Sequence, residues 1–221
     1  MIELHFGGAT VTGDPDEVLL VGYTGRDRAA VLAHIKELEK ELGAAPPPRV
    51  PMIYTVPGSL AVTAKTITVH CAETSGEAEV YLLRSPEHGL LVGVGSDHTD
   101  RKAEGEDIPR SKGLCQKVLS PAVWRYDDVA ARWDDLELRS WVTVAGERRV
   151  YQQGRMAELL APPALLEEVR QAGYTDLSRK LVFGGTLALI GGFAYAERFE
   201  AELRDTSTGH ALGVDYAVRL A

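Results

Sequence analysis

Long apolar runs are what this chain most plainly lacks. No stretch approaches the ~18–20 consecutive apolar residues that a membrane-spanning helix needs, so no such span is expected. The opening residues, MIELHFGGATVTGD, show no basic segment followed by an apolar one, so a secretory signal is not expected either. Cysteine is scarce. Cys71 and Cys115 are too few for a disulfide framework, lack the paired spacing of a zinc site, and suit a reducing, cytoplasmic location. Positive charge is also short: 24 Lys and Arg against 32 Asp and Glu leave a net charge of −8. That balance argues against a broad nucleic-acid surface, which needs clustered cations to neutralise phosphates. Internal repeats and low-complexity tracts are missing, and 44–51 (AAPPPRVP) is the one proline-rich stretch.

What is present points to a globular, strand-rich chain. With 221 residues and 45% apolar content, one large domain, or one domain with a small appendage, is expected, with a sizeable core. The 22 glycines and 11 prolines are spread as punctuation, which predicts many turns. Runs that alternate or are rich in β-branched residues predict strands at 2–6, 17–23, 60–71, 77–83, 90–95, 136–144, 148–152, 180–183, 198–203 and 213–218. Val31, Ile35, Leu38 and Leu42 form one stripe, predicting a helix over 28–42 that ends before Gly43. A second helix is predicted over 163–172, with helical turns at 127–133 and 155–160. The fold class is therefore mixed α+β and β-rich. Residues 1–50 would hold N-terminal strands and a lid-like helix, and 51–221 the main β unit.

Several residues carry candidate chemistry. Glu77 and Glu79 stand at i, i+2 in GEAEVYLL, so in a strand they leave the same face. Two converging carboxylates repel unless a cation sits between them; the alternative is the solvated face of an edge strand. Asp97 follows the apolar run 90–94, either as a third ligand or as a turn cap. Together the three make an all-oxygen set, suited to a hard divalent ion. His98, beside Asp97, would point to the other face if the strand continues. His34 and Glu37 lie at i, i+3 on the first helix, where a carboxylate can orient an imidazole as a general base; an ordinary salt-laced helix reads the same way. Cys115 reads as a buried thiol rather than a nucleophile. The GVG of 93–95 lacks a following helix, so it is no dinucleotide fingerprint. Trp124, Trp133 and Trp141 read as core or dimer-interface anchors. Ser111–Lys112 has only the surface look of a Ser–Lys dyad.

In this order, the landmarks GRD…HIKEL, TSGEAEV, GSDHTDR, SKGLCQK, YQQG and FGGT resemble the fumarylacetoacetate hydrolase superfamily, within it a DUF2848-like prokaryotic branch. The resemblance runs from about Gly22 to Ala221. It implies a β-roll with a few short helices, and commonly a homodimer. It implies that Glu77, Glu79 and Asp97 ligate Mg²⁺ or Mn²⁺, with Ca²⁺ a further fit. It makes His34 and Glu37 a water-activating dyad and Lys117 the lysine that stabilises developing negative charge. Gln153 and Thr186 would serve substrate binding, and Arg101 substrate binding or support of the metal site. The implied activity is hydrolysis of a C–C bond in a small 2-oxo or 1,3-dioxo acid through an enolate stabilised at the metal. The same apparatus would serve decarboxylation, tautomerisation or hydration, and a non-catalytic ligand-binding protein on this fold is the remaining alternative. Three departures bear on substrate identity. Gly25, Arg26 and Asp27 replace an asparagine–tyrosine pair, GGTLALIGG replaces a GTPxGVG loop, and Glu104 stands where relatives often carry glutamine.

Overall fold

The computed structural model describes residues 1–42 and 46–221; within the first helix, the side chains of residue 34 and of residues 37–42 are outside it. Strands β1 (Ile2–Phe6) and β2 (Ala9–Gly13) form an antiparallel hairpin. Its turn is Gly7–Gly8, both at positive φ, which a two-residue hairpin turn demands. Strand β3 (Glu17–Gly22) is followed by helix α1 (Arg28–Leu42). Asp27 caps α1, its Oδ1 accepting the N–H groups of Ala29 and Ala30 at 3.0 Å. Then come β4 (Met52–Pro57), a 3-10 turn (Gly58–Leu60), β5 (Ala61–Val62), β6 (Thr66–Val69) and β7 (Thr74–Ser75). The long pair β8 (Ala78–Ser85) and β9 (Gly89–Asp97) follows, then β10 (Thr99–Asp100). Two short helices, α2 (Arg101–Glu104) and α3 (Ile108–Gly113), are capped by the carboxylates of Asp100 and Asp107. The chain continues through β11 (Lys117–Leu119), β12 (Trp124–Arg125), α4 (Tyr126–Val129), β13 (Glu137–Val144) and β14 (Glu147–Arg155). It ends with α5 (Pro162–Gln171), β15 (Lys180–Thr186), β16 (Arg198–Arg204) and β17 (Ala211–Leu220).

Two large sheets organise these strands. One runs β4-β3-β15-β8-β9-β11-β5, with β12 also on β9; the other runs β14-β13-β16-β17-β6. Strand alternation gives β8 two buried faces. Val80 and Leu82 join Leu138, Phe199 and Tyr216 of the second sheet in one core. Tyr81 and Leu83 join Leu4, Leu20 and Phe183 in another, beneath the β1–β2 hairpin. Each fully buried side chain of this kind contributes roughly 1.5–3 kcal/mol. The GVG segment serves packing: a Cβ on Gly93 would stand 2.2 Å from the Tyr81 ring, and one on Gly95 2.8 Å from the Val118 carbonyl oxygen. β3 lies between β4 and β15. Strand β3 of the N-terminal segment thus belongs to the same sheet as later strands, while β1 and β2 make a two-stranded sheet of their own.

The mixed, strand-rich class is as expected, and α1 has the predicted bounds. The single strand expected over 60–71 is instead β5 and β6, which belong to different sheets. β5 pairs with β11 and β6 with β17, and the chain crosses between the sheets at Thr63–Lys65. Sequence reading also missed β2, β4, β11 and the α2–α3 pair. Trp133 is buried against Tyr126, whereas Trp124 and Trp141 are half-buried. No helix among the described residues is long and apolar enough to cross a membrane.

Candidate metal centre and its pocket

The open end of the β8–β9 hairpin assembles the acidic site. Glu79 pairs with Gly95 in register, and the Asp97 N–H donates to the Glu77 carbonyl at 3.0 Å. Glu77 and Glu79 therefore sit beside Asp97, and the three can each offer an oxygen such that all lie within 4.8 Å of one another. Asp97 and Glu79 are buried at 1% and 5% exposure. Glu79 Oε2 accepts the Gly185 N–H at 2.8 Å, and among the described residues Glu79 has no ion-pair partner. Burial first, then the charges of Asp97 and Glu77, raise its carboxyl well above the ordinary range. A buried carboxylate beside two others, unpaired and oxygen-only, fits a hard divalent cation.

Cations surround the triad from behind and beside. Lys112 Nζ donates to Asp97 Oδ2 at 2.8 Å, to Thr99 Oγ1 at 3.2 Å and to Glu77 Oε2 at 3.3 Å. Lys117 Nζ is 2.6 Å from Asp97 Oδ1 and donates to the His98 carbonyl at 2.7 Å. Burial alone would raise the Asp97 carboxyl, but Lys112 and Lys117 hold it below the ordinary range. Burial likewise opposes the charge on Lys112, and Asp97, Glu77 and Glu104 overcome it, keeping the ammonium charged. Arg101 lies 3.2 Å from Glu77 Oε1 and 2.6 Å from Glu104 Oε2, donates from Nε to Ser75 Oγ, and stacks on Phe193.

A cavity of about 560 Å³ opens on this cluster, lined among others by Glu77, Glu79, Asp97, Glu104, Lys112 and Thr186. Lys117 does not line it. Being fully buried, Lys117 stands behind Asp97, and the lysine at the cavity is Lys112, which sequence reading passed over. The reason lies in α3: Asp107 starts that helix, and its last turn carries Lys112 to the carboxylates. Gln153 is a second displacement. It is exposed on β14, whereas its neighbour Gln152 is buried, donating to Thr186 Oγ1 at 2.6 Å and the Leu187 carbonyl at 2.8 Å. Gln152 Oε1 accepts from the Ala78 N–H and Ser140 Oγ, each at 2.9 Å. Thr186 itself donates to the Ala78 carbonyl at 2.8 Å. Arg101 is placed to hold Glu77 and Glu104 rather than to line the cavity. The side chains of His34 and Glu37 lie outside the described residues; Ala30 and Val31, earlier on α1, line the cavity.

The remaining candidates have structural duties. His98 bridges Tyr216 Oη at 2.8 Å and Thr74 Oγ1 at 2.9 Å, and burial, then Lys117 and Arg101, lower its pKa to about 3. Burial pushes the Cys115 thiol up to about 11, away from thiolate chemistry. Arg26 forks onto Asp134 with two 2.7 Å bonds, so the GRD segment anchors and caps α1. Tyr23 lines the cavity at φ 61°, and Tyr54 lines it too; neither was anticipated. Only the bend of the chain after β3 brings Tyr23 to the cavity.

Solved structures share this architecture. A protein from Oleispira antarctica, assigned as a fumarylacetoacetate isomerase/hydrolase, superposes with a TM-score of 0.71 at 20% identity, covering 99% of this chain and 100% of that one. A protein from Yersinia pestis CO92, assigned to the fumarylacetoacetate hydrolase family, gives 0.70 at 15%, with the same coverage of 99% and 100%. The 5-carboxymethyl-2-hydroxymuconate delta-isomerase from Mycobacterium smegmatis gives 0.65 at 19%, covering 94% of this chain and 80% of that one. No curated protein matches the sequence. Residues 21–216 match the family described as protein of unknown function (DUF2848). The chain belongs to the DUF2848 family and is built on the fumarylacetoacetate hydrolase fold.

Proposed function

We propose that this protein is a divalent-metal-dependent enzyme acting on a small 2-oxo or 1,3-dioxo acid, and that its reaction is hydrolytic cleavage of a C–C bond. The observation that carries the reading is Glu79: a buried carboxylate with no ion-pair partner among the described residues, within reach of Glu77 and Asp97 at the floor of a substrate-sized cavity. Glu77, Glu79 and Asp97 would hold the ion, Mg²⁺ or Mn²⁺. When bound, a divalent ion polarises a carbonyl as a Lewis acid. The names of proteins on the same fold, a hydrolase family and a delta-isomerase, support oxo-acid chemistry of this general kind.

Lys112 supplies the charge complement. Its ammonium stands at the cavity wall next to the triad, where it can stabilise negative charge developing on a substrate oxygen. Lys117 positions Asp97 by fixing its second oxygen. Gln152 orients the Thr186 hydroxyl beside the cavity. Hydrolysis also needs a group that takes a proton from water, and His34, oriented by Glu37, fills that role in the proposal. Residue 34 is one helical turn beyond Ala30, which lines the cavity.

A second reading is favoured by the delta-isomerase named among the proteins on the same fold. Tautomerisation or decarboxylation would need the ion and Lys112 but no activated water. Two measurements separate these readings. Calorimetric titration with Mn²⁺ should give stoichiometric binding that Glu79→Ala abolishes; a protein that binds no divalent ion rules the enzyme out. A screen of 2-oxo and 1,3-dioxo acids, followed by product mass, should then detect cleavage that His34→Ala removes while Mn²⁺ binding stays. Unchanged cleavage in His34→Ala would take that residue out of the reaction.

A further inference from the structure

The cavity walls differ in chemistry. Val31, Leu159, Leu187 and Leu189 give an apolar side, and the acid triad gives the floor. Tyr23, Tyr54 and Glu104 line the cavity as well and lie near one another. Among the described residues, neither of these two phenols hydrogen bonds to protein, although both are half-buried. Tyr23 is held at φ 61°, a conformation that bulky side chains rarely adopt and that marks positions where placement matters more than local comfort. Two phenols facing a cavity offer donors and acceptors to a ligand's hydroxyl or carbonyl.

Charge narrows the ligand further. Four carboxylates, Glu77, Glu79, Asp97 and Glu104, face three cations, Arg101, Lys112 and Lys117. With a divalent ion bound and Glu79 ionised against it, the four carboxylates, the three cations and the ion sum to one positive charge. A single carboxylate on the ligand then balances the site. A second carboxylate reaching the tyrosine side would meet Glu104. Lys112 is the one cation among the described lining residues, and it is already shared by Asp97 at 2.8 Å, Glu77 at 3.3 Å and Glu104 at 3.6 Å. Arg101 is likewise engaged, by Glu104 and Glu77. Burying an unpaired charge there is costly.

We propose that the pocket selects a 2-oxo acid bearing one carboxylate and a neutral, hydroxylated tail, with Tyr23 and Tyr54 reading the tail and Glu104 excluding a second carboxylate. This rests on the metal-dependent oxo-acid reading above and names its substrate class.

Three five-carbon probes test it by calorimetric binding to the Mn²⁺-loaded protein: 5-hydroxy-2-oxopentanoate, 2-oxopentanoate and 2-oxoglutarate. The hydroxylated probe should bind tightest. 2-Oxoglutarate should bind at least about tenfold more weakly than 2-oxopentanoate. Glu104→Gln should recover about tenfold in 2-oxoglutarate affinity, and the Tyr23→Phe/Tyr54→Phe pair should erase the advantage of the hydroxyl. 2-Oxoglutarate binding as tightly as the hydroxylated probe overturns the selection while leaving the metal reading intact. Mn²⁺ that binds without recruiting any of the three overturns both. If Glu104→Gln does not unfold cooperatively on heating, the order of the three probes on the unaltered protein and the tyrosine variants decide the matter.

Discussion

Lys112 Nζ stands 2.8 Å from Asp97 Oδ2 at the cavity wall, while the other oxygen of the same carboxylate is held from behind by Lys117. Two lysines on one aspartate invite confusion, and their variants should separate them. Lys112→Met removes an ammonium from the place where substrate charge develops. Turnover should fall by about 10²–10³, with a smaller change in substrate affinity. Mn²⁺ affinity should hold or rise, because one positive charge fewer faces the ion. Lys117→Met breaks a buried pair and leaves the His98 carbonyl without its donor. Its main effect should be a stability loss of ~3–5 kcal/mol in urea unfolding. Equal effects of the two variants on turnover and stability would mean that this division of labour is wrong.

The acidic pair was legible because strand alternation is strict: two glutamates at i, i+2 must share a face. Their meeting with Asp97 depends on the β8–β9 register, and only the apolar run before Asp97 hinted at it. Which lysine borders the cavity was not legible. Lys112 and Lys117 are five residues apart, and α3 ends between them, so one lysine projects from a helix end and the other from a strand. Which glutamine of β14 is buried was not legible for a related reason. A one-residue slip in a strand exchanges faces, and the register irregularity at Ser140/Trp141 alters which glutamine of β14 faces inward. The strand expected over 60–71 failed because local β propensity does not record that a chain changes sheets.

That one-residue distinction is measurable. Gln152 satisfies the Ala78 N–H, the Leu187 carbonyl, and the hydroxyls of Ser140 and Thr186. Gln152→Ala strands several buried polar groups and should cost at least about 2 kcal/mol. Gln153→Ala, on the exposed face, should stay within about 0.5 kcal/mol. Chemical denaturation of both variants checks this, and equal losses would show that both glutamines carry structural weight.

Acid sensitivity should have a contribution remote from the site. Asp205 is buried at the turn between β16 and β17. It accepts from Ser207 Oγ at 2.7 Å and from Arg132 Nε at 2.5 Å. The Ser207 hydroxyl foremost, then Arg132, outweigh burial and hold the carboxyl below the ordinary aspartate range. A depressed native pKa gives stability that is present above the unfolded value, near 3.8, and lost as pH falls through the native one. Asp205→Asn should therefore melt at a lower temperature than the unaltered protein at pH 7. The gap should narrow as the pH falls below the ordinary carboxylate range. Melting curves at about pH 7, 5 and 3.5 test the sign, and a gap that widens in acid would contradict it.

Gly185 ties the fold directly to the proposed ion site. Its φ of +83° lies where L side chains are strained, and a Cβ there would stand 2.0 Å from Thr24 Oγ1 and 3.0 Å from the Val21 carbonyl oxygen. Thr24 is held in place by its own hydrogen bond to the Gly184 carbonyl at 2.7 Å, and the Gly185 N–H donates to Glu79 Oε2. Gly185→Ala must therefore shift the turn, the threonine or both, at a cost of about 1–3 kcal/mol. Because the shifted amide no longer anchors Glu79, Mn²⁺ affinity should also fall, by about tenfold for each ~1.4 kcal/mol of lost positioning. Adding Thr24→Ala relieves the steric contact but not the backbone strain, so it should restore only part of the stability. Full Mn²⁺ affinity in a destabilised Gly185→Ala would show that the amide supports the turn and not the carboxylate.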